Sequence, residues 1–490
     1  MSKKLIVLGG GAAGWLTALY LKKVFKQHNI KLIESKKIGI LGAGEGSTPH
    51  LINFLNYLEI DIKELLKETK GTIKNGINFE NWNGDNKKYF HGFESLNFLN
   101  NFQVEELFTQ DNYVSYLKNC ISKNLDLDNF NYGALLTKEN KIDLQNQKFS
   151  IHFDAHEIAN YLKKIAIERG VDYKEGEVKS FTQDEDGNVI NIIMEDNINE
   201  PCDFLFDCSG FRRLVIGKLF KTPWVDYQKY LPMKKAVPFF LEQEEDITPC
   251  THAIAMKYGW IWKIPLQHRF GSGYIYDSDY IDADQALEEA ERFLKTKLNS
   301  PRIISFDAGR FKNVWVKNCI AVGLSAGFTE PLEATSLYIT VQSLLLLNHF
   351  NEYFFDASDS KKQNFNEIMG NSNDEVLDFL YLHYLTNRKD SEFWLNFRKK
   401  TIVPEGLKSK IDDLKSNNFL PINFNVKKAT AGFDLDSHLF ISHGLKLLDI
   451  KQIKEVVGLK PNIGEYKSLL LSNLQIAAKH KDFIKSLNEV

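Results

Sequence analysis

The sequence has few of the residue patterns that mark cross-linked, metal-binding or nucleic-acid-binding proteins. Its 490 residues include five cysteines, an odd number without CxxC spacing, which argues against a disulfide framework or a zinc site. Lys and Arg number 61 against 64 Asp and Glu, a formal net charge of -3, and the chain has no basic block or acidic tail. Neither nucleic acid nor an anionic membrane is therefore indicated as a partner, and we predict a cytoplasmic protein without a metal.

Long apolar runs are also scarce, and the one near the N-terminus has two interpretations. LIVLGGGAAGWLTALYL, residues 5–21, follows two lysines and is uncharged, which is the outline of a signal peptide or membrane anchor. Three consecutive glycines interrupt this run, and the following residues continue as an amphipathic helix and then the strand KLIES at 31–35. We therefore predict a strand at 4–9, a helix at 12–27 and a second strand, the first βαβ unit of a soluble domain.

Hydrophobic residues make up 43% of the chain, enough for one long domain or two to three ordinary ones. Periodicity predicts helices at 50–70, 154–169 and 286–298, extended segments at 72–82 and 87–93, strands near 172–196, a sheet at 230–277, and a helix starting near 331. Beyond about 340 the pattern is mostly helical. The order of elements favours a mixed α/β fold.

The first turn carries a dinucleotide-binding pattern. Gly9, Gly11 and Gly14 form GxGxxG directly after a strand and at the start of a helix. In this pattern the first glycine permits a tight turn, the second lets the backbone approach a pyrophosphate, and the third lets helix and strand pack closely. Glu34 lies at the end of the second strand, where a carboxylate can bind an adenosine ribose. A tight turn without a ligand is the alternative.

NAD and FAD share this pattern, so later segments must distinguish them. DFLFDCSGFRR at 203–213 and NCIAVGLSAGFTEPLEATS at 318–336 each combine a strand with a turn of small residues. Such long-range returns of the chain are typical of flavoprotein monooxygenases. No second GxGxxG occurs for a nicotinamide domain. The sequence therefore favours a flavin that receives its electrons from another protein.

Several separated motifs, in order, resemble those of the flavin-dependent halogenases, particularly the tryptophan halogenase family. They are GGGAAGW at 9–15, GAGEGSTP at 42–49, K-x-x-I-x-F-x-N-W at 74–82, HFDA at 152–155, DCSGFRR at 207–213, GWIWKIPL at 259–266, GLSAGFTEPLEATS at 323–336 and LTNRKDSEFW at 385–394. The resemblance implies a flavin monooxygenase-like FAD-binding fold of Rossmann type. It places an FAD-binding module, including the sheet region, at 1–345 and a mostly helical substrate-binding part at 346–490, packed as one unit.

The resemblance also implies a two-component reaction. A separate flavin reductase supplies FADH2, a flavin hydroperoxide forms with O2, and a halide ion attacks it to give hypohalous acid. This oxidant then reaches a lysine, where an electron-rich aromatic carbon is halogenated. The predicted FAD contacts are Gly9, Gly11, Ala12, Ala13, Gly14, Glu34, Gly44, Glu45, Gly46, Val178, Leu324 and Leu337.

The halide and the flavin barrier have predicted residues of their own. By family position, the backbone amides of Thr335 and Ser336 at a helix N-terminus bind the halide. Trp260 and Trp262 share one face of a strand, and in the family they are thought to keep substrate away from the flavin. Two core aromatics would fit that spacing equally well.

The predicted catalytic residues are Lys74 and Glu333. Strand alternation puts the Lys74 side chain on the other face of the strand from Ile73. That face could lie in solvent or in a polar cavity, and the family motifs select the cavity. Lysine could act on hypohalous acid as an amine or as an ammonium donor, and Glu333 would orient the oxidant and stabilise the cationic ring intermediate. Gly76, where many family members have a larger residue, is expected to loosen this strand.

Other candidates carry less weight. His91, His152 and His268 are expected to be structural, Asp154 to cap a helix, and Arg212 and Arg310 to face flavin phosphate or serve structural roles. Two further functions stay open: an aromatic hydroxylase or oxidase on the same fold, which would not need the Lys74 and Glu333 pair, and a non-catalytic flavin-binding protein. An indole or another electron-rich aromatic is the favoured substrate, with chloride, bromide or iodide as the halide.

Overall fold

The computed structural model describes residues 2–37, 44–93, 110–299, 302–399, 402–416, 432–454 and 463–489. Gly42 and Ala43 of the GAGEGSTP motif lie outside the described residues.

Short strands account for much of the N-terminal two thirds of the chain. In chain order they are β1 (Lys4–Leu8), β2 (Asn29–Glu34), β3 (Glu45–Gly46), β4 (Thr72–Lys74), β5 (Gly76–Glu80), β6 (Lys88–Gly92), β7 (Lys141–Ile142), β8 (Ser150–Phe153), β9 (Asp172–Glu175), β10 (Val178–Gln183), β11 (Val189–Met194), β12 (Asn199–Pro201), β13 (Phe204–Asp207), β14 (Trp224–Asp226), β15 (Lys235–Glu242), β16 (Thr251–Ala255), β17 (Gly259–Pro265), β18 (Arg269–Tyr276), β19 (Ile304–Ser305), β20 (Gly309–Phe311), β21 (Trp315–Val316), β22 (Cys319–Ala321), β23 (Gly327–Phe328) and β24 (Ala478–Lys479).

Helices lie between these strands and dominate the C-terminal third. They are α1 (Ala12–Val24), α2 (Pro49–Tyr57), α3 (Ile62–Glu68), α4 (Gln110–Ser122), α5 (Tyr132–Lys138), α6 (Ala155–Glu168), α7 (Ala283–Leu294), α8 (Thr335–Leu347), α9 (Asp359–His383), α10 (Glu392–Lys399), α11 (Glu405–Lys415), α12 (Leu435–Gly444), α13 (Ile463–Ile476) and α14 (His480–Asn488). The predicted helix at 50–70 is divided into α2 and α3, and α8 begins after a short turn rather than at 331.

A six-stranded sheet in the order β21-β22-β13-β1-β2-β9 organises the N-terminal part. All its pairs are parallel except β21 with β22. The N-terminal apolar run forms β1 and α1, which confirms the βαβ interpretation. The distant strand β13 pairs with β1, and β22 pairs with β13, both in parallel, so both predicted chain returns end at the same sheet edge as the glycine turn. In parallel α/β sheets this edge is where ligands bind.

A seven-stranded sheet in the order β19-β15-β18-β17-β16-β5-β6 contains the predicted sheet region at 230–277. Its pairs are antiparallel apart from β5 with β16. The tryptophan-bearing strand β17 lies between β18 and β16 and is therefore supported on both sides.

The segment at 72–82, predicted as one extended stretch, changes sheets at Asn75. Strand β4 pairs with β8, whereas β5 pairs with β6 and β16. The Asn75 N–H donates to Pro249 O over 2.7 Å, which holds the chain at the break. A Cβ added to Gly76 would lie 2.3 Å from His91 O and 2.6 Å from the Phe90 ring. The expectation that Gly76 loosens the strand is therefore wrong, because its lack of a side chain permits close packing.

The predicted boundary between the two parts, at residue 345, falls inside α8. The main hydrophobic core includes buried side chains from both parts, such as Leu16 and Leu32 before the boundary and Phe379 and Trp394 beyond it. All five cysteines are free thiols and are buried. Within the described ranges, no helix combines the length and the apolar character needed to cross a bilayer.

Candidate active site

A cavity of about 780 Å³ opens at the carboxyl edge of the six-stranded sheet. Most of the predicted site residues line it: Gly9, Gly11, Ala12, Ala13, Gly14, Glu34, Gly44, Glu45, Gly46, Lys74, Val178, Trp260, Trp262, Leu324, Ser336 and Leu337. These residues come from eight separated stretches of the chain. The predicted residues Glu333 and Thr335 lie outside the lining, buried beside it.

The three glycines of the first turn have different surroundings. Gly9 has φ 118°, and a Cβ there would lie 2.1 Å from Cys208 O. A Cβ on Gly14 would lie 1.9 Å from Gly9 O, so the close packing of α1 on the turn requires glycine. A Cβ on Gly11 would meet nothing within 4 Å, and its φ of -75° suits any residue. The protein itself therefore does not require glycine at position 11, which faces open space.

Replacement of Gly11 by valine is expected to weaken FAD binding without destabilising the protein. The added methyl groups would occupy the space beside the N-terminus of α1, which has no side-chain cap and can accept phosphate. FAD affinity, measured by fluorescence titration, should fall at least about tenfold, while the melting temperature of the FAD-free protein stays unchanged. Gly14→Val is the contrast, since it should lower that melting temperature. Unaltered FAD affinity in Gly11→Val would contradict this assignment.

The carboxylate of Glu34 lies beside the glycine turn. Its Oε1 accepts hydrogen bonds from Lys163 Nζ at 2.7 Å and Tyr173 OH at 2.8 Å. A Cβ added to Gly10 would lie 1.6 Å from Glu34 Oε2. Glu34 is thus fixed by two donors at the end of β2, with its second oxygen next to the turn.

Lys74 is buried, with no exposed surface, although its strand pattern was equally compatible with solvent. Its Nζ donates to Ser47 O over 3.1 Å, and a Cβ on Gly46 would lie 3.2 Å from Nζ. The nitrogen also lies 5.3 Å from the centroid of the Phe93 ring. The lysine therefore reaches the cavity against the GEGS segment at 44–47, which includes strand β3.

Burial lowers the pKa of Lys74 to about 8, with the charges of Glu333 and Cys250 acting in the opposite direction. A lysine in water stays protonated until well above this value. The amine and ammonium forms of Lys74 are therefore both accessible near neutral to mildly alkaline pH.

Glu333 contacts two histidines and not Lys74. His91 Nδ1 lies 3.0 and 3.1 Å from its two carboxylate oxygens, and His383 Nε2 lies 2.9 Å from Oε1. Burial by itself would raise the pKa of Glu333, but the charge and hydrogen bonds of the two histidines outweigh it and lower the pKa to about 2. Glu333 is therefore an ionised carboxylate in the interior. Its charge acts on Lys74, but the two side chains form no direct ion pair.

Sequence reasoning missed the partnership of the two histidines with Glu333. The sequence predicts only a structural role for His91, and it does not single out His383. They lie 242 and 50 residues from Glu333 along the chain, so no local pattern joins them. One usable signal was the position of His383 two residues before the LTNRKDSEFW motif.

The predicted halide-binding amides lie at the start of α8. Ala334 is the N-cap of this helix in a left-handed conformation with φ 56°, and it contributes no side-chain cap. The Thr335 hydroxyl lies 3.3 Å from Thr329 Oγ1, and Ser336 lines the cavity. First-turn N–H groups without a side-chain cap are suited to an anion, because the helix dipole is positive there.

The two tryptophans lie side by side on β17. Their ring centroids are 6.5 Å apart at an interplanar angle of 66°, and both rings line the cavity. Trp260 Nε1 lies 3.5 Å from Glu330 Oε2. Trp262 packs over Gly273, where a Cβ would come within 2.1 Å of its ring. Trp260 is also part of the buried core, as the core interpretation predicts, and its place in the cavity lining is compatible with a barrier.

The remaining candidates have structural surroundings. Asp154 caps α6 by accepting from the His156 and Glu157 N–H groups, which confirms that prediction. Arg310 pairs with Asp374 over 2.9 Å, and Arg212 lines the cavity. His152 is buried between Thr72 Oγ1 and Thr251 Oγ1 at 3.0 and 2.9 Å. His268, at the surface, accepts a hydrogen bond from Arg269 Nε. Among the described side chains, no group of His, Cys, Asp and Glu could hold a metal ion.

A family model described as tryptophan halogenase matches residues 4–458. Tryptophan 7-halogenase RebH of Lentzea aerocolonigenes is 31% identical over 437 residues, which cover 84% of this chain and 81% of that protein. Tryptophan 6-halogenase SttH of Streptomyces toxytricini is 29% identical over 481 residues, which cover 91% and 90%.

Solved structures agree with these relatives. Xcc4156, a flavin-dependent halogenase from Xanthomonas campestris, superimposes with a TM-score of 0.89 at 25% identity, covering 99% of this chain and 98% of that one. BrvH, a flavin-dependent halogenase from Brevundimonas sp. BAL3, gives a TM-score of 0.83 at 27% identity, with 99% of each chain covered. The predicted fold class and the predicted family are thereby confirmed. The chain belongs to the tryptophan halogenase family and is an enzyme of the flavin-dependent halogenase type.

Proposed function

We propose that this enzyme halogenates an electron-rich aromatic substrate, with an indole favoured, using FADH2, O2 and a halide ion. The observation that carries the proposal is that a buried lysine lines the same cavity as the glycine turn and the N-terminus of α8. An aromatic hydroxylase would not need that lysine.

The flavin would be held by the glycine turn and the strand ends around it. The open space at Gly11, the uncapped N-terminus of α1 and the fixed Glu34 suit a pyrophosphate and a ribose. Gly44, Glu45, Gly46, Val178, Leu324 and Leu337 would complete the contacts. When bound in its reduced form, FAD would supply the two electrons that bring O2 to the peroxide level, and that oxygen would be the oxidant that converts halide to hypohalous acid.

The halide would bind at the backbone amides of Thr335 and Ser336. This helix N-terminus offers N–H donors and a positive dipole end without a metal, which suits a monovalent anion. Trp260 and Trp262 would fill the cavity between flavin and substrate, excluding substrate and water from the flavin face.

Lys74 would bind hypohalous acid and direct it to the aromatic carbon. A primary amine or ammonium can hold this oxidant by hydrogen bonding or by nucleophilic attack, and burial protects it from water. Glu333, ionised and nearby, would stabilise the positive charge that develops on the ring. We assign FAD binding to the part up to residue 345 and substrate contacts mainly to the helices beyond it, with electrons supplied by a separate flavin reductase.

The direct test is an assay with FAD, a flavin reductase, NADH, O2 and each halide in turn, followed by mass spectrometry of indoles and phenols. We expect a mass increase that corresponds to replacement of one hydrogen by halogen, dependent on the halide and on the reductase. Hydroxylated products without halogenation would favour a hydroxylase. Absence of any modified product, from protein that binds FAD normally, would overturn the proposal.

A further inference from the structure

The hydrogen-bond geometry of His383 fixes how many protons it shares with Glu333. His383 ends α9, has no exposed surface, and places each ring nitrogen against an oxygen. Nδ1 lies 2.8 Å from Phe379 O, and Nε2 lies 2.9 Å from Glu333 Oε1. A backbone carbonyl can only accept, so Nδ1 must carry a hydrogen.

The hydrogen bond between Nε2 and Glu333 then has two possible proton arrangements. Either Nε2 also carries a hydrogen and the imidazolium faces the Glu333 carboxylate, or neutral His383 accepts from a protonated Glu333. In both arrangements one proton is shared and the pair has no net charge. The end of α9 favours the imidazolium form, because the C-terminal end of a helix dipole is negative.

We propose that His383 is a positioning residue that carries the proton balancing Glu333, so that this pair presents no net charge to Lys74 and leaves the lysine available as an amine. A carboxylate without this partner would instead favour the ammonium form of Lys74. The catalytic consequence of this inference rests on the proposed function. The effect of His383 on the charge of Lys74 does not depend on it.

The groups around the pair support this assignment. His91 and Tyr89, both on β6, face Glu333, and the charge of Glu333 acts on Lys74. His438 of α12 packs against the same Phe379 ring as His383. Lys74 itself is also within the field of Cys250 and His152. Aromatic rings of Phe79 and Trp82 enclose His383, with centroids 4.9 and 6.2 Å from the imidazole. In this buried setting the effective dielectric constant is low, so an unbalanced charge interacts strongly with its neighbours.

The test measures the pKa of Lys74 without using activity. Carbamylation by cyanate requires the free amine, so the pH dependence of labelling at Lys74, quantified by mass spectrometry of its peptide, gives its midpoint. We expect a midpoint near pH 8 in the parent protein. His383→Gln keeps an N–H donor for Glu333 but cannot carry the proton, and the midpoint should rise by about one pH unit. His383→Asn serves the same comparison if His383→Gln does not fold.

Two controls separate this mechanism from a general structural effect. His438→Gln alters an equally enclosed histidine, 5.1 Å from the Phe379 ring, that does not contact Glu333, and it should leave the Lys74 midpoint unchanged. The double variant Glu333→Gln with His383→Gln removes the charge that His383 balances, so the rise should disappear. An unchanged midpoint in His383→Gln, or a rise that persists in the double variant, would overturn the proposal.

The pH dependence of single-turnover halogenation is a second readout. In the parent protein we expect the rate to increase as Lys74 loses its proton, and in His383→Gln the increase should move to higher pH by the same interval as the labelling midpoint. If the parent enzyme does not halogenate, the proposed function fails while the labelling experiment still decides the charge balance.

Discussion

Replacement of Lys74 by methionine should reduce halogenation at least about a hundredfold while leaving FAD binding intact. Methionine has nearly the length of lysine and can fill its place in the cavity, but it can neither donate a hydrogen bond nor act as an amine. The rate should be measured in single turnover with pre-reduced FAD, so that the reductase does not limit it.

The same substitution should not destabilise the protein. The Lys74 side chain is fully buried, and within the described part of the chain it donates to Ser47 O, so the cost of burying its charge is removed together with that contact. We expect the melting temperature of Lys74→Met to equal or exceed that of the parent. Lys263→Met is the matched control: Lys263 directly follows Trp262 in the sequence but pairs with Glu244, and its loss should leave halogenation near the parent rate. Persistent halogenation by Lys74→Met would refute the catalytic assignment.

Replacement of Glu333 by glutamine should have the second largest effect on activity, a loss of about ten- to a hundredfold. Glutamine keeps the shape and can bond both histidines, but it lacks the negative charge that would stabilise the cationic ring intermediate. The loss should therefore appear in the rate of the chemical step rather than in substrate affinity, which separate measurements of kcat and KM can distinguish.

Glu333 should also govern part of the acid stability. Its pKa is lowered from 4.5 to about 2 in the folded protein, so its contribution to stability is present above pH 4.5 and is lost as the pH falls toward 2. Urea unfolding should therefore separate the parent from Glu333→Gln most clearly above pH 4.5, with the difference shrinking at lower pH.

Glu330, three residues before Glu333, should have the opposite effect on the pH dependence of stability. Burial raises its pKa to about 7, so it lowers stability as the pH rises from 4.5 to 7. Glu330→Gln should therefore change the pH dependence in that higher window only. If both substitutions altered the same pH range, the contrasting charge states of the two glutamates would be wrong.

Much of the cofactor region could be predicted from the sequence because its signals are local. The strand, glycine turn and helix at the N-terminus follow directly from residues 4–27, and they appear as β1 and α1. The order of the halogenase motifs identified the family correctly. Gly9 illustrates the reason: its positive φ is a property of one turn, which a short pattern can specify.

The boundaries of the elements around Lys74 could not be predicted in this way. Alternation over 72–82 suggests one strand, yet β4 and β5 belong to different sheets. The contact that accompanies the break, from the Asn75 N–H to Pro249 O, joins residues far apart in the chain. Local periodicity describes which face a side chain takes in a given strand, but it does not say which strand lies beside it.

The sequence by itself determined the family, the glycine turn and the identities of the candidate lysine and glutamate. Only the tertiary structure decided that Lys74 has no exposed surface and bonds to Ser47 O, and that Glu333 is held by His91 and His383. The physical reason is that the pKa and reactivity of a buried group depend on desolvation and on neighbouring charges. Those neighbours arrive from β6 and from the end of α9, and folding alone brings them together.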